Sequence, residues 1–323
     1  MNTDQQALRQ GIRSFCQGRI PIDRLRELEA KDAFDRSLWS ELAGMGVFNL
    51  RRPEDAGGAG LGTPEAVLVF EELGRSLAPG PLVWSHLAAG SIDGAATGET
   101  VVGGLDLIGA AAKPYLIEHW PRLDALLLLR PDGLFRVDPK ALAAQPVAVP
   151  LDPLTPVHHA ESLPAGERLA GPAVARRLWL EGAALASAQL LGIAEATLEL
   201  ALDYAQKREQ FGRPIGTFQA IQHMLSDMFV SQEVARAGVY AAGATLEHPE
   251  VGDVERAVAS GKITAIDAAV KNARACIQIH GGMGYTWEVP AHYYLKRTWV
   301  LDSVFGSGEE HAALVADRTP QGA

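Results

Sequence analysis

Residues 208–228 read REQFGRPIGTFQAIQHMLSDM, and the parsing of these residues decides the fold. GRPIG, at 212–216, joins two glycines and a proline, a combination that ends one helix and turns the chain into another. Upstream, WLEGAALASAQLLGIAEATLELALDYAQKREQ places small and apolar residues in helical period up to Gln210. Downstream, TFQAIQHMLSDMFVSQEVARAGVYAAGATLE keeps that period to Glu247. The stretch is therefore the hinge between two long helices, with Arg208 at the end of the first.

Working outward, DVERAVASGKITAIDAAVKNARACIQIH and then PAHYYLKRTWVLDSV continue the helical texture, separated by breaks at EHPEVG and GGMG. Four antiparallel helices with short connections form an up-and-down bundle. Its many Ala and Gly positions permit close helix approach, and its several apolar faces predict that one is buried against another subunit. Before Gly171-Pro172 the texture differs. TVVGGLDLIGAA, DALLLLRPDGLFRVDP and QPVAVPLDPLTPVHHAE are short apolar runs broken by Gly, Asp and Pro, a β pattern. RPDG at 130–133 predicts a hairpin, and the segment is small for a barrel that must enclose a ligand. From 1 to 95, FCQGRIPIDRLREL, RSLWSELAGMGVFNL and TPEAVLVFEELGRSLA read as three helices, the last ended by SLAPGPLV. GGAGLG lacks the spacing of a dinucleotide fingerprint, follows no strand, and reads as a turn. The expected fold is mainly α with a small β domain: an N-terminal helical domain (1–95), a reduced middle β domain (96–170) and a C-terminal four-helix bundle (171–323).

Composition narrows the function classes. With 323 residues, 47% of them hydrophobic, there is ample material for a core. The net charge of −10 and the absence of a long Lys/Arg cluster speak against a nucleic-acid surface. Cys16 and Cys276 lie far apart and without neighbours at metal-ligand spacing, so neither a disulfide framework nor a metal site is expected, and a cytoplasmic setting fits. The polar start MNTDQQALRQ carries no secretion signal, and no run of 18 apolar residues suggests a membrane span.

Two stretches are more specific than composition: REQFGRPIGTFQAIQHMLSDM and IQIHGGMGYTWEVPAHYYLKR, the latter at 277–297. They resemble the acyl-CoA dehydrogenase family, whose layout of helical domain, β domain and helical bundle matches nearly the whole chain. SLWSELAGMGVFNLRRPEDAGGAGLG and VFEELGRSLAPGPL resemble that family's first domain. The resemblance implies FAD as cofactor and an acyl-CoA thioester as substrate. It makes Arg208, Gln210, Phe211, Gln278, Gly281 and Gly282 the half-site for the adenosine and pyrophosphate of an FAD whose ring lies in a neighbouring subunit. Physical chemistry agrees: a guanidinium fork pairs a pyrophosphate in two directions, a Phe ring can cover an adenine, and paired glycines admit close backbone approach. Each also has an ordinary reading, as an exposed Arg, a core Phe and a helix C-cap. Gln222 and His223 are further candidates, although a lone helical His is more often simply packed.

Other family features are absent. The Thr-Glu-Pro, Gly-Ser-Asp and Trp-Ile-Thr segments that hold the flavin ring do not occur between 96 and 170. The chemistry needs a carboxylate base against the thioester's α carbon, with its pKa raised by desolvation. In much of the family it stands in a Tyr-Glu-Gly-Thr loop, and counting from Glu288 puts that position at Phe305, in WVLDSVFGSGEEHAAL. Other members place it near Gly182. Glu181 is adjacent, but one residue rotates a helical side chain by about 100°, and a solvated Glu near a helix start is its ordinary reading. Glu309 and Glu310 read as first-turn acids of a last helix.

Three expectations follow. The first is the short subunit of an α2β2 acyl-CoA dehydrogenase, lending half a flavin site to a longer paralogue that supplies the base. Within the family such chains act on bulky thioesters such as steroid side-chain CoA esters, commonly with an electron-transfer flavoprotein as acceptor. The second is a self-sufficient enzyme with Glu181 or another carboxylate as base, and the third is a flavin-free structural subunit.

Overall fold

The computed structural model describes residues 1–31, 33–109 and 113–319. Helix α1 (Thr3–Arg19) opens with a capping box in which Asn2 and Gln5 satisfy each other's backbone N–H groups. The single helix expected over 15–28 is instead broken, because Pro21 has no N–H to donate and cannot continue α1; α2 (Ile22–Glu29) starts after it. Helix α3 (Arg36–Gly44) is capped by Asp35 and stops short of the predicted Leu50, with Gly46 in the left-handed region just beyond. Helix α4 (Thr63–Arg75) ends before the Pro-Gly-Pro turn as expected. That turn also starts a short buried helix, α5 (Leu82–Ala88), which the sequence reading missed.

The β segment forms two small sheets. One orders β1 (Val102–Asp106), β3 (Ala125–Arg130), β4 (Gly133–Val137) and β7 (Glu167–Ala170) as β1-β3-β4-β7. The other orders β2 (Tyr115–Glu118), β6 (Val157–Ala160) and β5 (Gln145–Pro146) as β2-β6-β5. The RPDG hairpin is present, with Arg130 opposite Gly133. Residues 125–129 of β3 are wholly buried, which is why an unalternating Ala-Leu run suits the strand.

The bundle comprises α6 (Pro172–Lys207), α7 (Gln219–Glu247), α8 (Val254–His280) and α9 (Ala291–Ser303), and α10 (Gly308–Arg318) packs on α8. Helix α6 is buried from Trp179 to Thr197 because α4, α8 and the sheet enclose it. By length and composition α6 could cross a bilayer, but its most apolar window is 78% buried inside the fold. Glycines set the α4–α6 distance: a Cβ on Gly74 would lie 2.2 Å from the Gln189 carbonyl oxygen, and one on Gly192 would lie 1.9 Å from that of Glu71.

Beside this crossing lies an ion network. Arg9 and Arg13 of α1 clasp Glu72 of α4 and Glu195 of α6, while Glu71 accepts from Arg9, Arg236 and Tyr240. Burial pushes Glu71 up to about 7 against the pull of Arg9. The Glu195 carboxyl, despite its burial, is held below the usual range by Arg9 and Arg13. The network ties four helices, α1, α4, α6 and α7, into one core.

Candidate functional site

The sequence-predicted cofactor residues fall at one end of the bundle. Tyr204, one turn before Arg208, stacks on His280 with ring centroids 4.2 Å apart, bringing the C-terminal ends of α6 and α8 together. Arg208 is exposed, and its guanidinium has no hydrogen bond or ion pair among the described residues. Two-residue strands β8 (Glu209–Gln210) and β9 (Arg213–Pro214) fold the link into a tight hairpin. At its tip Phe211 is 92% exposed and at φ +54°, a conformation a bulky residue rarely adopts. Its ring meets that of Phe218 edge-on at 6.1 Å, and Arg213 covers the Phe218 ring at 4.2 Å. Phe211 is therefore not the core residue of its ordinary reading.

Gln278 is exposed at the end of α8. The chain then turns at Gly281, φ +59°, and a Cβ on Gly281 or Gly282 would meet nothing within 4 Å. This open backbone lies at the same end of the bundle as an unpaired guanidinium and a bare aromatic ring, and groups of these three kinds suit a dinucleotide's pyrophosphate and adenine approaching from outside the chain. Gln210 binds its neighbour's carbonyl, Glu209, at 2.9 Å. Gln222 reaches back to the Gly216 carbonyl at 3.1 Å and braces the turn, while His223 is exposed on α7.

The other end of the family's site differs. Phe305 is buried at φ +55°, with its ring 4.5 Å from that of Trp84. A Cβ on Gly182 would sit 2.4 Å from the Phe305 ring. Gly182 and Phe305, at or near which the family resemblance puts the two base positions, thus meet in space, and the phenyl ring fills the volume over the glycine. The loop is fixed from behind: buried Lys262 donates to the Leu301 and Val304 carbonyls at 2.6 and 2.9 Å, and His311 Nε2 donates to the Phe305 carbonyl at 2.9 Å. Burial lowers Lys262 to about 7 and His311 to about 4, so the imidazole is neutral and stacks on Trp179.

Glu181 does not have the solvated setting of its ordinary reading. It is 5% exposed and lies between Arg51 at 2.7 Å and Arg177 at 2.9 Å, on a different face of α6 from Gly182. A carboxylate held by two guanidiniums is a structural anchor, and as a base it would have to give up both partners. Glu309 and Glu310 open α10 as expected, with Glu310 in a capping box with Ser307.

Sequence reading missed Glu118. Its strand, β2, lies against a cleft of 520 Å³ between the sheets and the end of α9, and Glu118 also lines a 40 Å³ cavity further in. Burial pushes its carboxyl up to about 7, against the pull of Arg297. The only signal in sequence was an acid in the otherwise apolar run YLIEHW. Among the described residues the cleft wall carries no Lys, Arg or His, so no cationic side chain in it could pair with a flavin phosphate.

The architecture of helical domain, two small sheets and helical bundle is that of the acyl-CoA dehydrogenases. The chain belongs to that family: its N-terminal domain matches residues 2–100 and its C-terminal domain residues 170–319. The acyl-CoA dehydrogenase IpdE2 of Mycobacterium tuberculosis is 33% identical over 303 residues, covering 91% of this chain and 90% of that protein. Among solved structures, a chain of the ChsE4-ChsE5 complex from Mycobacterium tuberculosis superposes with a TM-score of 0.86 at 24% identity, covering 99% of both chains. A chain of the Tcur3481-Tcur3483 steroid ACAD gives 0.84 at 25% identity over 97% of both. Membership makes FAD the cofactor and an acyl-CoA thioester the substrate class.

Proposed function

We propose that this chain is the short subunit of a heteromeric acyl-CoA dehydrogenase, holding the adenosine and pyrophosphate half of an FAD whose ring and catalytic base belong to a longer paralogue. The observation that carries the reading is the contrast between the outward-facing, unpaired Arg208–Phe211 and Gly281–Gly282 surface and the inner site filled by Phe305. When bound, FAD supplies the acceptor for the hydride leaving the β carbon of the thioester. This chain's part is to bind: Arg208 pairs the pyrophosphate, Phe211 covers the adenine, and the open backbone at Gly281 and Gly282 lets the ribose approach. No residue here is assigned the proton abstraction, because Phe305 cannot take a proton and Glu181 is held by Arg51 and Arg177.

The paired nature of the ChsE4-ChsE5 and Tcur3481-Tcur3483 assemblies supports a heteromer, and the latter, a steroid ACAD, favours a bulky thioester such as a steroid side-chain CoA. An electron-transfer flavoprotein is the acceptor this reading expects. The test is flavin absorbance of the chain purified alone and co-expressed with a longer acyl-CoA dehydrogenase paralogue. The expected result is a colourless chain and a yellow complex with one FAD per unlike pair; a chain that is yellow alone overturns the shared site.

A further inference from the structure

Glu118 stands apart from every other acid on the cleft wall. Asp106 accepts from Trp179 Nε1 at 2.6 Å and the Ile108 N–H at 3.0 Å, Asp152 is taken by Arg297 and Thr155, and Glu310 accepts from the Ser307 N–H at 2.8 Å. Glu118 alone among these four has no hydrogen bond or ion pair among the described residues, although it lines both the cleft and the inner cavity. Next to it His119, only 2% exposed, also lines the inner cavity, and its Nδ1 has no partner. Glu118 is half-buried with no polar partner turned toward it, and a buried imidazole nitrogen without a partner among the described residues, as in His119, is rare and calls for a ligand or an ordered water. The remaining wall is apolar and aromatic, including Trp84, Leu105, Tyr115, Trp299 and Phe305. At 520 Å³ the cleft falls in the usual range for small-molecule sites of about 300–1,000 Å³.

The charge of the wall decides the ligand class. Among the described residues the wall has four carboxyl groups, of which Arg297 neutralises that of Asp152, and no cationic side chain, so the three others oppose an anion, a CoA phosphate or a free carboxylate alike. We propose that this cleft binds a compact apolar molecule, neutral or cationic, whose hydroxyl or ammonium group donates to Glu118. Its recognition has two parts: the aromatic wall takes the apolar body, and Glu118 takes the single polar end, leaving the Phe305 ring as the floor. The site needs neither FAD nor a partner chain, so it stands or falls separately from the shared-flavin reading.

Three probes with one apolar body test it on the full chain: 1-adamantanamine, 1-adamantanol and 1-adamantanecarboxylate, followed by calorimetry and by the fluorescence of Trp84 and Trp299. At pH 8 the amine is expected to bind tightest, the alcohol next, and the carboxylate at least about tenfold more weakly than the amine. The groups facing Glu118 are Arg297 and Asp152, which neutralise each other, and the neutral His119; Asp106 and Glu310 lie elsewhere on the wall. Amine affinity is therefore expected to rise about tenfold from pH 6 to pH 8 as Glu118 ionises, and that of the alcohol, which brings no charge, to rise far less. Glu118→Gln should bring the amine down to the alcohol's level and flatten that rise. If the variant does not fold, the wild-type pH series decides by itself. Equal affinity for carboxylate and amine, an amine affinity flat in pH, or no saturable binding of any probe overturns the proposal.

Discussion

The two ends of the bundle treat the same kind of position in opposite ways. At the α6–α8 end, a guanidinium, a phenyl ring and two glycines are left open to solvent, with nothing among the described residues to occupy them. At the α9–α10 end, a glycine that could have carried a side chain is instead covered by Phe305, and the loop is pinned by Lys262 and His311. Phe211 and Phe305 both carry the strain of a bulky residue at positive φ, and at the open end the exposed ring gains little packing to offset it. Filling a cavity with Phe is favourable in itself. The first end is thus an open surface, and the second a packed interior.

The comparison is broken most forcefully at the filled end. Phe305→Ala should lower stability by about 3–5 kcal/mol, because the ring's contacts with Gly182 and Trp84 vanish and leave a cavity; thermal or urea unfolding reads it. An unfolding midpoint like that of the unchanged chain would mean that the ring is not packed as described. Glu72→Ala gives a similar loss of about 3–5 kcal/mol for another reason, since Arg9 and Arg13 would lose a fully buried partner. Neither change should alter the flavin stoichiometry of folded complex.

At the open end the expected effect is smaller and of another kind. Arg208→Ala should weaken FAD retention in the complex by about 1.5–3 kcal/mol, the worth of a charge-assisted pair, while leaving the unfolding midpoint of the chain unchanged. Undiminished FAD after dialysis of the mutant complex removes Arg208 from the site. Gly182→Ala sharpens the contrast: its new methyl would press on the Phe305 ring and should cost about 1–3 kcal/mol by overpacking, measured by unfolding. The least effect on catalysis is expected from Glu181→Gln, which should leave turnover of the complex unchanged. A collapse of rate with flavin intact would return the base to this chain.

Much of this was legible in sequence where local chemistry dictates structure. The RPDG hairpin, the long bundle helices and the α10 start with Ser307 and Glu310 all follow from turn residues, period and capping. The break at Pro21 was legible too, and reading one helix across it ignored what proline forbids. The rest depends on contacts between distant segments. Glu118 becomes a cleft residue only when β2 pairs with β6 and the end of α9 closes the other side, a juxtaposition no spacing encodes. Likewise Glu181 and Gly182 are neighbours in sequence, yet one meets Arg51 and the other Phe305.

The most direct test of the shared site is photolabelling of the co-expressed complex with an FAD carrying an azide on its adenine, followed by peptide mapping. The account predicts label on this chain, in the peptides that contain Phe211 or Gln278–Gly282. Label confined to the longer paralogue would contradict it.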